Sequence, residues 1–207
     1  MNNNFYKLGS NLNICWNNID AVLNSITQEF TNTVDSYEAL MAPVDGAYWQ
    51  YYPYTHTRFT RKFSTTFKQE AMLTVKCLKQ LQLSAKKEDF NNLDMYDCLV
   101  NHKFDYTRVQ LIKAVAGVDT LPHIDNGRKY VINIGLKNSN TCTTYISNSS
   151  DKTEFWLQSP SAFTMQDNEA YLINTDKVHA VKSHTSLDSK LDRYLITYML
   201  SEPDASR

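Results

Sequence analysis

Two histidines and an aspartate carry the chain's clearest chemical potential: His123-Ile124-Asp125, directly after Pro122, and His179 within Tyr171-Leu-Ile-Asn-Thr-Asp-Lys-Val-His179-Ala-Val181. Two imidazoles and one carboxylate can hold a ferrous ion on one face and leave the opposite face open for oxygen chemistry. Zinc in an open catalytic site accepts the same donors, so the donor set alone leaves the metal undecided. Arg193, which opens Arg193-Tyr-Leu-Ile-Thr197, shifts the balance towards iron. Its planar guanidinium can give two parallel hydrogen bonds to a carboxylate, which lysine cannot, and a hydrolytic site has no need of such a group.

These residues converge only if particular elements carry them. In His-x-Asp the two side chains meet when the middle residue points away, as happens at the end of a strand, where successive side chains alternate sides. The second histidine then has to return from far along the chain, with several short strands in between, as closure of a double-stranded β-helix requires. The flanking sequence agrees. Tyr130-Val-Ile-Asn-Ile-Gly-Leu136 follows the first ligand pair and Ala170-Tyr-Leu-Ile-Asn174 precedes His179, both rich in β-branched and aromatic residues. The expected fold is mainly β with N-terminal helices, a double-stranded β-helix (jelly roll) supported by helices on one sheet.

The supporting helices are read from apolar spacing. Ile19, Val22, Leu23, Ile26 and Phe30 mark one helix over Asn17 to Leu40, closed by Pro43 and Gly46. Ala71, Val75, Leu78 and Leu81, set against Lys76, Lys79 and Gln80, mark a second from about Thr66 to Leu83, and a shorter one runs near Asp89 to Leu99. We expect a single domain over 1–207, with 1–103 a largely helical support region and 104–201 the β core. No repeat, low-complexity tract or linker interrupts it.

Composition narrows the function classes. A chain of 207 residues with 42% hydrophobic content can bury one good core. Its net charge of −1 gives no general attraction to nucleic acid or anionic membrane. There is no apolar run long enough for a membrane span, and the start Met1-Asn-Asn-Asn-Phe-Tyr-Lys lacks the layout of a signal peptide, so a cytoplasmic location is expected. Cys15, Cys77, Cys98 and Cys142 form no C-x-x-C pair and read as reduced, mostly buried thiols.

Taken in order, His123-Ile-Asp125-Asn-Gly-Arg128, Asn133-Ile-Gly-Leu136, Tyr171-Leu-Ile-Asn174 leading to His179-Ala-Val181, and Asp192-Arg193-Tyr-Leu-Ile-Thr197 resemble the Fe(II)/2-oxoglutarate-dependent dioxygenase superfamily. The stretch from Glu169 to Arg193 is most similar to aspartyl/asparaginyl β-hydroxylase-like and prolyl-hydroxylase-like members, and the resemblance covers roughly Val109 to Leu200. It implies that His123, Asp125 and His179 bind Fe(II) and that Arg193 pairs with the far carboxylate of 2-oxoglutarate. Asn133 and Thr197 would add contacts to that cosubstrate, and Arg128 sits where some amino-acid hydroxylases hold a substrate carboxylate. The implied reaction hydroxylates an unactivated C–H bond while 2-oxoglutarate and O₂ become succinate and CO₂. One departure is that Lys182 to Lys190 lengthens the path from the last histidine to the arginine relative to many members; we read Ser183 to Ser189 as a longer hairpin loop.

Alkylation-repair demethylases of the superfamily carry a second arginine where this chain has Met199, which disfavours nucleobase demethylation and nucleic acid as a partner. The reading is therefore hydroxylation of an amino-acid side chain, free or within a peptide or protein. The alternatives are an oxygenase acting on another small molecule or on nucleic acid, and a non-catalytic β-helix binding module. His56, His102 and His184 are read as packing or surface residues, and the ordinary reading of Arg193 pairs it with Asp192 or Asp188. Two further stretches carry an ordinary reading beside a functional one. Ala47-Tyr-Trp-Gln-Tyr-Tyr-Pro-Tyr54 is either core packing or a substrate wall. His56 to Phe63, continuing to Phe67-Lys68, is either a solvated face or a basic, aromatic strip of the kind that binds single-stranded nucleic acid.

Overall fold

The computed structural model describes residues 4–12, 56–59, 65–114, 116–117, 119–125, 128–149, 151–186 and 191–200. The helix expected over Asn17 to Leu40 and the aromatic stretch at 47–54 lie outside them, as does most of the basic stretch. Among the described residues, ten strands form two antiparallel sheets: β1 (Phe5–Gly9), β2 (His56–Phe59), β3 (Val109–Ala114), β4 (Thr120–His123), β5 (Tyr130–Lys137), β6 (Cys142–Ile146), β7 (Ser161–Phe163), β8 (Ala170–Asn174), β9 (His179–Ser183) and β10 (Arg193–Leu200). The larger sheet runs β1-β8-β5-β10-β3-β2 and the smaller β4-β9-β6-β7. This is the expected jelly roll: mainly β, with helices on one sheet.

The larger sheet is buried on both faces, which explains why its strands read as almost continuous apolar runs. On β5, Tyr130, Ile132 and Ile134 face outwards into the main core, whereas Val131 and Asn133 face the smaller sheet. β10 alternates in the same way, with Ile196, Tyr198 and Leu200 outward and Arg193, Leu195 and Thr197 inward.

Among the described residues, two α-helices cover the outer face. In α1 (Thr65–Ser84), Ala71, Val75, Leu78 and Leu81 fall on one stripe and are buried, while Leu83 on the far side is exposed. Each fully buried leucine contributes about 1.5–3 kcal/mol by leaving water. α2 (Leu93–Val100) starts at Asn92, whose side chain accepts the Met95 N–H, and buries Met95 and Leu99. The sequence expectation of a helix from Asp89 joined two elements, because Lys87–Asp89 forms a separate 3-10 turn before that cap. Gln82 of α1 then donates to the carbonyls of Leu99, Val100 and His102, satisfying groups that the end of α2 leaves open.

Periodicity did not single out β1 or β2, which add edge strands to the larger sheet by pairing with β8 and β3. The connection from β9 to β10 is a second correction. It is not a hairpin, since β9 pairs with β4 and β6 in the smaller sheet, and β10 with β3 and β5 in the larger. The added length carries the chain from one sheet to the other.

Candidate metal centre

His123 and His179 are direct cross-strand partners at the end of β4 and the start of β9, which brings their ring centroids to 4.2 Å. Asp125 lies just past β4, held by its own N–H to the Thr175 carbonyl at 3.1 Å. Thr175 also reaches the same segment through its N–H to the Lys129 carbonyl and its hydroxyl to the Arg128 carbonyl. The turn between β8 and β9 thus stitches down the segment that carries the first two ligands. One ligand atom each from His123, Asp125 and His179 lies within 4.8 Å of the others, a grouping able to hold a metal ion.

The two rings are oriented alike. His123 Nδ1 lies 2.8 Å from the Leu121 carbonyl and His179 Nδ1 lies 2.9 Å from the Lys177 carbonyl, each two residues upstream. A carbonyl can only accept, so both Nδ1 atoms carry the proton and both Nε2 lone pairs are left for a cation. Burial, with His179 beside it, pushes His123 down to about 4. Burial also lowers His179, against the opposing pull of Asp125. Both imidazoles are therefore neutral at ordinary pH, the state in which they ligate. A grouping of neutral Nε2 atoms and a carboxylate fits a divalent cation.

Arg128 is not a solvated loop residue. Its Nη2 donates to Asp125 Oδ1 at 2.9 Å, and both side chains are largely buried. It fixes the orientation of the carboxylate while lining the cavity beside it.

That cavity, about 110 Å³, lies between the sheets and is lined from both, with His123, Asp125, Arg128 and His179 towards one side and Asn133, Arg193 and Thr197 along β5 and β10. Arg193 is 9% exposed, and its Nε has no hydrogen-bond partner among the described residues. Asp192, considered as its partner from the sequence, accepts the Ala116 N–H instead. Asp188 lies outside the described residues. The Cys142 thiol lies beside the guanidinium, and burial lowers the arginine's pKa from its ordinary value. An arginine held out of water with no carboxylate against it is expensive unless an anion completes it.

Asn133 and Thr197 are Cα partners across β5 and β10, and the Thr197 hydroxyl donates to Asn133 Oδ1 at 2.7 Å. This bond fixes which end of the Asn133 amide faces Thr197 and leaves its two N–H donors for another partner. Thr197 consequently spends its proton on Asn133, not on a ligand. The Arg193 guanidinium and the Asn133 amide N–H groups are donors that an anion in the cavity could use.

All seven residues singled out from the sequence line this one cavity. His184 bonds the Thr143 hydroxyl and His102 packs on Phe104 and Tyr198, away from it. Sequence reasoning missed the carbonyls of Leu121 and Lys177, the thiol of Cys142 and the Asp125–Arg128 pair. The spacing of Arg128 three residues after Asp125 was the one available signal for these.

No family model and no curated protein matches the chain. Among solved structures it is similar to an oxidoreductase of the 2OG-Fe(II) oxygenase family from Burkholderia pseudomallei, with 13% identity over 46% of this chain and 43% of that one and a TM-score of 0.36. It is also similar to oxalate oxidase in complex with the substrate analogue glycolate (17% identity, 45% of this chain and 41% of that one, TM-score 0.34). A third is vicilin from Corylus avellana (12% identity, 44% and 23%, TM-score 0.32). The matches span less than half the length of each solved chain.

Proposed function

We propose that the protein is an Fe(II)/2-oxoglutarate-dependent dioxygenase that hydroxylates an unactivated C–H bond of an amino-acid side chain, free or within a peptide or protein. The observation that carries the reading is Arg193, a buried guanidinium with no carboxylate partner among the described residues, lining the same cavity as the two histidines and the aspartate. A hydrolytic zinc site or a pure binding module leaves that arginine unexplained.

On this reading His123 and His179 through Nε2, together with Asp125, hold the iron, which when bound supplies the activation of O₂ coupled to decarboxylation of 2-oxoglutarate. Arg193 takes the far carboxylate of the cosubstrate in a forked pair of hydrogen bonds. Asn133 adds an amide N–H, and Thr197 keeps that amide turned the right way. Arg128 gives one donor to Asp125 and offers the remainder to a carboxylate of the substrate. The apolar walls from Val131, Ile173 and Leu195 exclude water from the reacting end of the cavity.

The test is release of succinate by Fe(II)-loaded protein across a panel of free amino acids, peptides and oligonucleotides. Turnover dependent on an amino acid or peptide is the expected result. Turnover with oligonucleotides alone would overturn the substrate class, and no succinate from any of them, with 2-oxoglutarate left unbound, would overturn the dioxygenase reading.

A further inference from the structure

The three ligand-bearing residues have flanking neighbours that meet on the far side of the smaller sheet. Ile124 lies between His123 and Asp125, and Val178 and Ala180 lie on either side of His179. Because side chains alternate along an extended chain, each of these neighbours points away from the cavity when the ligands point into it. They join one small cluster, separate from the main core, whose largest buried member is Phe155, with Tyr145 packed against it at the edge. That ring has no exposed surface, although it comes from a turn whose next two residues, Trp156 and Leu157, are 44% and 84% exposed. The segment is also tied to the histidine strand by its backbone. Ser147 N–H donates to the Val178 carbonyl at 2.9 Å and Val178 N–H to the Ser149 carbonyl at 3.3 Å, while the Ser147 hydroxyl donates to Gln158 Oε1 at 2.9 Å.

We propose that Phe155 is a positioning residue for the metal centre, a buried ring whose packing with Ile124, Val178 and Ala180 sets how closely the two ligand-bearing segments approach. β4 and β9 need this help. Their pairing is short and irregular, with partners at Thr120–Val181 and His123–His179 and a break in register between them, so the ladder alone fixes the spacing of the ligands poorly. A close-packed ring transmits its volume to its neighbours, and removing it lets Ile124 and Val178 move inwards and draws the ligand atoms out of place. The inference rests on the metal centre proposed above and assigns it a support that none of the ligands' own hydrogen bonds supplies.

The test is a titration of the metal-free full chain with Co(II), followed by ligand-field absorption, alongside urea unfolding of the metal-free proteins. Phe155→Ala should bind about 10–100-fold more weakly, as loss of outer support for a metal ligand does, with a changed band shape, and Phe155→Leu should fall in between. Leu99→Ala, which empties the main core remote from the site, should lose stability and bind like wild type. If Phe155→Ala does not fold, the order wild type, Phe155→Leu, Phe155→Val in affinity carries the same comparison. Unchanged affinity and spectrum in the Phe155 variants would overturn the proposal, as would an equal loss in Leu99→Ala. Failure of wild type itself to bind Co(II) would remove the metal centre, an outcome distinct from either.

Discussion

The two faces of β10 are built for opposite ends. Outwards it presents Ile196, Tyr198 and Leu200 to the helices, and there its one polar atom is paired: the Tyr198 hydroxyl accepts the Asp105 N–H and meets His102 Nε2 at 3.1 Å. Inwards, on alternate residues of the same strand, it presents Arg193 with an orphaned Nε and Thr197 committed to Asn133. The outer face lowers the free energy of the folded state, and the inner face spends some of that on a charge that only a ligand completes. Stability and binding should therefore separate cleanly by face.

The largest effect is expected outside. Leu78→Ala or Leu99→Ala should lower unfolding free energy by about 2–5 kcal/mol in urea titrations, leaving affinity for metal and 2-oxoglutarate unchanged in the fraction that folds. Inside, the sign reverses. Arg193→Met should abolish 2-oxoglutarate binding, seen by calorimetry, while the ligand-free protein keeps its stability or gains about 1–4 kcal/mol, because a buried charge with no carboxylate partner among the described residues has been replaced by an apolar side chain. A marked destabilisation of the ligand-free Arg193→Met variant would break the contrast between the faces.

Acid should sharpen it. His123 on the inner side and His102 on the outer are both held near 4, mainly by burial, with His179 and Arg108 respectively adding to the shift, against an ordinary value of 6.5. The unfolded chain takes up protons in that window and the folded chain does not, so stability is complete above about pH 6.5 and falls as pH drops towards 4. Urea midpoints measured across that range should decline for wild type and less steeply for His102→Asn, which removes the outer contribution alone. The smallest effect belongs to Thr197→Val, which frees the Asn133 amide to turn and should weaken 2-oxoglutarate by about 1 kcal/mol with no change in metal affinity.

The parts of this arrangement that alternate or repeat could be read from the chain. The alternation along Arg193–Thr197 placed Arg193 and Thr197 on one side, the resemblance added Asn133, and the stripe Ala71, Val75, Leu78, Leu81 placed α1 to within a residue or so of Thr65–Ser84. His-x-Asp at a strand end, with a distant second histidine, was legible because a metal restricts its ligands so tightly. Contacts made by backbone were not. Nothing in a residue's identity says that the carbonyls of Leu121 and Lys177 will orient two imidazoles, or that Thr175 will stitch down the Asp125 segment. The change of sheet between β9 and β10 was equally hidden, since a polar stretch reads the same whether it turns back or crosses over. Cys142 read as a buried thiol, as it is, but its place beside Arg193 depends on how the two sheets pack face to face.

The most direct measurement is anaerobic calorimetry of 2-oxoglutarate with the Fe(II)-loaded protein, wild type beside Arg193→Met and His179→Ala. Binding by wild type, lost in Arg193→Met although Fe(II) stays bound, and lost in His179→Ala together with Fe(II), is the result expected if the buried guanidinium and the metal triad form one site. Equal binding of 2-oxoglutarate by wild type and Arg193→Met would contradict it.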